Sequence, residues 1–135
     1  MPSSGANPFS DSVRSVRIHH LALRTVGVER LVGFYAGILG LTVLERRGAS
    51  ADRSGDRAWL SVGDGVLMIE RRDDDEIAVA AGTNELIAFA VSEDEREAFI
   101  ERLTIAGITI EARSEHTLYF RDPDGRRVGV SSYPL

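Results

Sequence analysis

The feature that most constrains this chain is an internal repeat: a strand, helix, strand, strand, strand order occupies residues 16–71 and recurs over residues 86–132. Laid over each other, the two passes bring Leu23 onto Phe89, Gly40 onto Gly107, Leu41 onto Ile108, and Asp64-Gly65 onto Asp124-Gly125. A unit of roughly 55 residues with one helix over one face of a four-stranded sheet leaves its other sheet face wet if it stands alone. Pairing two such units buries those faces. The expected fold is therefore α+β, with two βαβββ modules pairing into a curved mixed sheet that encloses a cleft. Inward positions of the first and last strands of each module line that cleft and are the first place to look for function.

The elements follow from local pattern. The segment 16–24 is too short and too β-branched at its start (Val16, Ile18) for a helix, which predicts a strand with both faces largely covered. Val28, Leu31, Val32, Tyr35, Ile38 and Leu39 follow helical spacing, and Gly40 stands where a left-handed residue ends such a helix. Strands are expected over residues 41–47, 57–62 and 66–71, the last two joined by the Gly63-Asp64-Gly65 turn. The acidic run at residues 73–76 breaks the pattern. A strand over 86–91 then leads to Ser92 and Glu95, a capping box for a helix carrying Phe99, Ile100, Leu103 and Ala106 and stopping at Gly107. Strands over 108–112, 117–121 and 127–132 complete the second pass. The predicted organisation is a loose N-terminal tail (residues 1–14) and a single domain (15–135) made of module one (16–72), a linker (73–83) and module two (84–133).

Composition removes chemistry. The chain has 135 residues, 43% hydrophobic and 27% charged, enough for one ordinary globular domain. No apolar run approaches the roughly 18 residues of a membrane span, and the N-terminus lacks the pattern of a secretion signal, so a cytoplasmic location without membrane contact is expected. Net charge is −5 with the basic residues scattered, which argues against nucleic acid as a partner. There is no cysteine, and all 16 basic residues are arginine. Thiolate and lysine Schiff-base chemistry are excluded, and no phosphate-binding glycine motif or serine nucleophile motif is present. Carboxylate, imidazole or phenol chemistry, metal binding and plain ligand binding remain.

Ile18-His19-His20-Leu21-Ala22-Leu23, the Phe34-Tyr35 helix ending in Leu39-Gly40-Leu41, and Tyr119-Phe120-Arg121-Asp122-Pro123-Asp124-Gly125 occur in an order and spacing that resembles the vicinal oxygen chelate superfamily. That group contains glyoxalase I, fosfomycin-resistance proteins, bleomycin-binding proteins and extradiol dioxygenases, and the resemblance covers about residues 16–133. It implies the glyoxalase/bleomycin resistance fold, frequent dimers, and in many members a divalent metal held at four positions related by the repeat. Carried over residue by residue, those positions are His20, Met68, Leu86 and Gly129. Only His20 is a usual ligand. Leu86 and Gly129 bring no side-chain donor, and a thioether suits the superfamily's metals poorly.

No cofactor is therefore predicted, and a divalent metal, if held at all, would rest on His20 and Glu70, which strand alternation puts on the face of Met68. The expected cleft is mostly apolar (Ala22, Met68, Leu86, Ala88, Gly129), with His20, Glu70, Thr117, Tyr119 and Ser131 as polar groups. Arg24 at the strand end can meet an anionic ligand group or form a surface ion pair, and Trp59 is either core or an aromatic pocket wall. His19 is expected to point away, packing under the helix or bonded at its end, His116 to sit at a rim or dimer position, and Glu85 to face outward unless a bulge turns it in. The leading reading is metal-independent binding of a small, partly hydrophobic molecule, as the bleomycin-type branch implies. The alternative is a lyase, isomerase or dioxygenase using a rearranged metal site or an acid–base pair on His20 and Glu70. A third is an interaction module whose cleft serves a protein. The unpaired sheet edges are compatible with a homodimer.

Overall fold

The computed structural model describes residues 16–48, 55–74, 76, 78 and 85–135. The expected tail and residues 75, 77 and 79–83 of the expected linker lie outside the described residues. Strand β1 (His20–Thr25) is followed by helix α1 (Val28–Val32), which continues as a π-helix (Gly33–Ile38), and by strands β2 (Thr42–Arg47), β3 (Arg57–Val62) and β4 (Gly65–Arg71). Strand β5 (Leu86–Ala90), helix α2 (Glu93–Ile105) and strands β6 (Ala112–Arg113), β7 (Thr117–Arg121) and β8 (Arg127–Ser131) repeat the order.

Each module forms its own four-stranded mixed sheet, ordered β1-β4-β3-β2 and β5-β8-β7-β6. Within each, the first strand runs parallel to the last, and the remaining pairs are antiparallel. The registers are the same under the repeat. Ala22 sits beside Met68 and Met68 beside Trp59, while Ala88 sits beside Gly129 and Gly129 beside Tyr119.

Alternation along the strands sends one set of side chains to the core and the other to the open face. Leu23, Ala58, Leu60, Leu67 and Ile69 of the first sheet and Leu118, Phe120, Val128 and Val130 of the second are buried. They meet Val28, Leu31, Phe34 and Tyr35 from the first helix and Phe99 and Leu103 from α2 in one core cluster. The Phe34 ring lies 6.0 Å from Phe120 and the Tyr35 ring 6.3 Å from Phe89, so the first helix also seals the second sheet. Phe34 and Tyr35, three and four residues after Leu31, lie on one stripe of the helix, and all three are buried.

Both helices end as the sequence predicts, on left-handed Gly40 (φ 79°) and Gly107 (φ 74°). At α2 the Ile108 amide donates to the Leu103 carbonyl (2.9 Å) and the Gly107 amide to Thr104 (3.1 Å), a Schellman closure. Three boundaries differ from the expectation. Strand β1 starts at His20 rather than at residue 16, the first helix is only partly α, and the strand expected over 108–112 shrinks to Ala112–Arg113. In the last case the backbone spends its first amide on the helix cap before it can join a ladder.

Candidate functional site

The open face of the first sheet is laid out in three rows by the strand registers. His20 and Val66 are neighbours in the first row, with Ser61 beyond. Ala22, Met68, Trp59 and Glu45 form the second, and Arg24, Glu70, Arg57 and Arg47 the third. A pocket of about 430 Å³ opens over the first two rows, lined by His19, His20, Leu44, Glu45, Trp59, Val66 and Met68. Trp59, Val66 and Met68 form its apolar floor. Leu44 joins them because the β2–β3 register shifts between Val43 and Glu45, a bulge that turns an extra side chain to this side.

His19 belongs to this pocket, which corrects the expectation that it packs under the helix. It precedes the first paired strand residue, so alternation does not govern it. Its Nδ1 lies 2.9 Å from Nδ1 of His20, with the two rings edge to face at 5.2 Å. That contact holds one proton between the two nitrogens, one imidazole donating and the other accepting. Glu45, the carboxylate of the pocket, has no hydrogen-bond or ion-pair partner among the described residues.

His20 and Glu70 do not share the site. His20 lies beside Val66 and Glu70 beside Arg24, a separation of four strand residues, or roughly 13 Å along the strand. The expectation that Glu70 stands two residues beyond a Met68 opposite His20 is corrected by this register. Glu70 instead faces Arg24 at 3.9 Å, and Arg24 binds Glu76 at 2.8 Å. The Glu76 carboxyl is held below its ordinary range, first by the Asp73 amide and then by the Arg24 guanidinium. Arg24 is thus engaged as an ion pair at the strand end.

The other expected cleft residues separate into two places. Ala22, Leu86 and Ala88 come together in a groove of about 740 Å³ where β1 passes β5, with Glu85, Arg126 and Arg127 along it. Glu85 thus turns toward the groove rather than simply outward. Thr117, Tyr119, Gly129 and Ser131 share the open face of the second sheet. There the Thr117 hydroxyl donates to Ser131 at 2.7 Å, and the Arg127 guanidinium lies 4.3 Å above the Tyr119 ring. His116 stands at the rim with its ring against Tyr133 and its carbonyl accepting from the Ser132 amide. Glu111, bonded to Arg121 at 2.7 Å, has its carboxyl held low by that guanidinium.

A metal held at the four superfamily positions does not fit these side chains. A Cβ on Gly129 would stand 3.3 Å from the Leu118 carbonyl and the Thr117 methyl and 3.5 Å from Leu86, so the space a ligand side chain would cross is taken. Among the described residues no three His, Asp or Glu side chains converge on a point. His19, Glu45, Leu44 and Val66 are the lining residues that sequence reasoning missed. Val66 and Glu45 follow once the registers are known, because each is the cross-strand neighbour of an expected site residue, whereas the bulge that admits Leu44 leaves no sequence signal.

Paired βαβββ modules, each built around a four-stranded mixed sheet, define the class of fold. The family model for the Glyoxalase/Bleomycin resistance protein/Dioxygenase superfamily matches residues 17–130, and the chain belongs to that superfamily. It is 26% identical over 119 residues to the metallothiol transferase FosB of Lysinibacillus sphaericus, covering 82% of this chain and 77% of that protein. Two solved structures share the fold. The fosfomycin resistance protein FosX of Listeria monocytogenes, complexed with Mn(II) and sulfate, superposes with a TM-score of 0.73 at 18% identity, covering 90% of this chain and 94% of that one. FosX of Mesorhizobium loti gives 0.71 at 18% identity, covering 88% and 93%. No helix among the described residues is long and apolar enough to cross a membrane.

Proposed function

We propose that this protein binds a small, partly hydrophobic molecule in the pocket of its first sheet without a metal ion, as a cytoplasmic homodimer. The observation that carries the reading is the lining. Leu44, Trp59, Val66 and Met68 offer apolar wall and floor, while the polar groups are confined to the two imidazoles and Glu45. At about 430 Å³ the space lies within the range of small-ligand sites. The donor set supports metal independence, because of the four superfamily positions only His20 offers a usual ligand atom. The enzymatic alternative on His20 and Glu70 finds no support in the register that separates them.

Trp59 is the only tryptophan, so its fluorescence reports on this pocket without background from elsewhere. Phenylpropanol, a neutral aromatic probe, is expected to change that emission saturably and to do so equally before and after treatment with EDTA. A Met68→Arg variant, which fills the floor with a charged chain, is expected to lose the response. Loss of binding on chelation, or a stoichiometric divalent ion in purified protein that His20→Ala removes, overturns the reading.

A further inference from the structure

The pocket's charge inventory narrows its ligand further, and the narrowing rests on the binding function proposed above. No arginine lines it. Of the three arginines in the outer row of the same face, Arg24 is paired with Glu76 and Glu70, Arg57 places its guanidinium 5.8 Å from the Trp59 ring centroid and so shows that this indole already draws a cation, and Arg47 ends the row outside the pocket lining. The two imidazoles are engaged with each other at a 2.9 Å contact. Against this stands Glu45, whose carboxylate has no partner among the described residues and sits directly across the β2–β3 ladder from Trp59.

A carboxylate beside an indole at the edge of an apolar floor attracts one ligand class more than any other. The ring face carries a negative quadrupole that draws cations, the carboxylate supplies the counter-charge, and the net charge of −5 gives the molecule an attractive field for cations. An anion meets the Glu45 carboxylate, and the donors open to it are confined to the imidazole edges at one side of the pocket. We propose that this pocket selects amphipathic organic cations. An aromatic or branched aliphatic body lies on Trp59, Val66 and Met68, and an ammonium or amidinium group is held between Glu45 and the indole.

A charge series of one shape tests this through Trp59 emission: phenylpropylammonium, phenylpropanol and phenylpropionate. Because Glu45 is exposed, the ammonium is expected to bind about twofold to fivefold tighter than the alcohol, and the carboxylate more weakly than either. Glu45→Gln should remove the advantage of the ammonium over the alcohol. Glu45→Arg should reverse the order in favour of phenylpropionate. Circular dichroism checks that each variant is folded. If the carboxylate binds as well as the ammonium, or Glu45→Gln leaves the ammonium's affinity intact, the selection proposed here is wrong while binding in the pocket stands. If none of the three moves the emission, the binding reading itself fails.

Discussion

The hydroxyl of Tyr35 in the first module donates a 2.7 Å hydrogen bond to the Asp122 carboxylate in the second, and both side chains are fully buried. Asp122 also accepts from the Asp124 amide at 2.9 Å, the Arg126 amide at 3.0 Å and the Arg126 guanidinium at 3.2 Å. Every lone-pair direction of a buried charge is thereby occupied, which is the condition for burying it at all. Neighbouring contacts also cross the modules. Arg30 reaches Asp124 at 2.8 Å, Arg126 the Arg24 carbonyl at 2.7 Å, and Arg102 the Ile38 carbonyl at 2.7 Å. The Asp-Pro-Asp-Gly turn therefore serves as the joint between modules rather than as part of the pocket.

Removing the phenol tests that joint. Tyr35→Phe keeps the ring packing but leaves one carboxylate oxygen short of a donor, at a cost of about 1–3 kcal/mol in urea denaturation at neutral pH.

The same residue gives a pH dependence with a definite sign. Burial, then the Asp122 charge, pushes the Tyr35 phenol well above its ordinary value of 10.0. Below that value the phenol is protonated in both folded and unfolded chains, so its contribution to stability is complete. As pH rises past about 10 the unfolded chain releases the proton and the folded chain keeps it, so stability falls. Denaturation midpoints should decline above about pH 10 in the native protein and decline less in Tyr35→Phe. Equal slopes in the two proteins would show that Tyr35 is not the group responsible.

Arg46 ties three elements together, and its loss should be costly out of proportion to its position near the surface. Its guanidinium contacts Glu29 of α1 and Asp56 ahead of β3, and it donates to the Arg57 carbonyl at 2.9 Å. The Asp56 side chain is 4% exposed and the Arg46 side chain 28%. Arg46→Ala strands a buried carboxylate, and the expected cost is roughly 2–3 kcal/mol, below that of a fully buried pair because Arg46 keeps some water. Adding Asp56→Asn should recover part of the loss in thermal unfolding, since an amide is cheaper to leave unpaired than a charge.

Much of this architecture was legible because the repeat constrains itself twice. The glycines at 40 and 107, the capping box on Ser92 and Glu95, and the strands over residues 57–62 and 117–121 all rest on local signals that packing did not override. The site was less legible, for three physical reasons. Alternation predicts a residue's face only inside a paired strand, and His19 lies just outside one. Register between distant strands is set by tertiary packing, so the distance from His20 to Glu70 was not readable from either segment. The bulge between Val43 and Glu45, which brings Leu44 to the pocket, is not marked by any break in the residue pattern of its strand.

Gly129 offers a compact test of how closely the open face of the second sheet is packed. A Cβ there meets the Leu118 carbonyl, a backbone atom, and the Thr117 methyl, both at 3.3 Å. The methyl can yield slightly and the carbonyl cannot without disturbing β7. Gly129→Ala should therefore destabilise by about 1–2 kcal/mol despite adding only one methyl group, and the larger Gly129→Glu should lose more. Chemical denaturation of both variants measures this, and an alanine variant as stable as the native chain would mean the strands part more easily than their contacts imply.

The homodimer proposed above can be tested at Leu86, on strand β5. Leu86, the repeat mate of His20, is 40% exposed, and Leu21, Val43 and Leu44 expose 41%, 39% and 59%. Leu44 belongs to the ligand pocket, whereas Leu86 and Leu21 line the groove between β1 and β5, the first strand of each sheet and an edge open to pairing. If a second copy covers that edge, Leu86 passes from water into an interface, and a carboxylate at that position must be desolvated without a partner. Such a group costs several kcal/mol, enough to shift a dimer of ordinary affinity to monomer. Size-exclusion chromatography with light scattering is expected to give a dimer for the native chain and a monomer for Leu86→Glu. Because Leu86 lies outside the core cluster, the variant should keep the native circular dichroism spectrum. A native chain that elutes as a monomer at high concentration would remove the dimer, and would leave the pocket on the first sheet to be judged from its own lining alone.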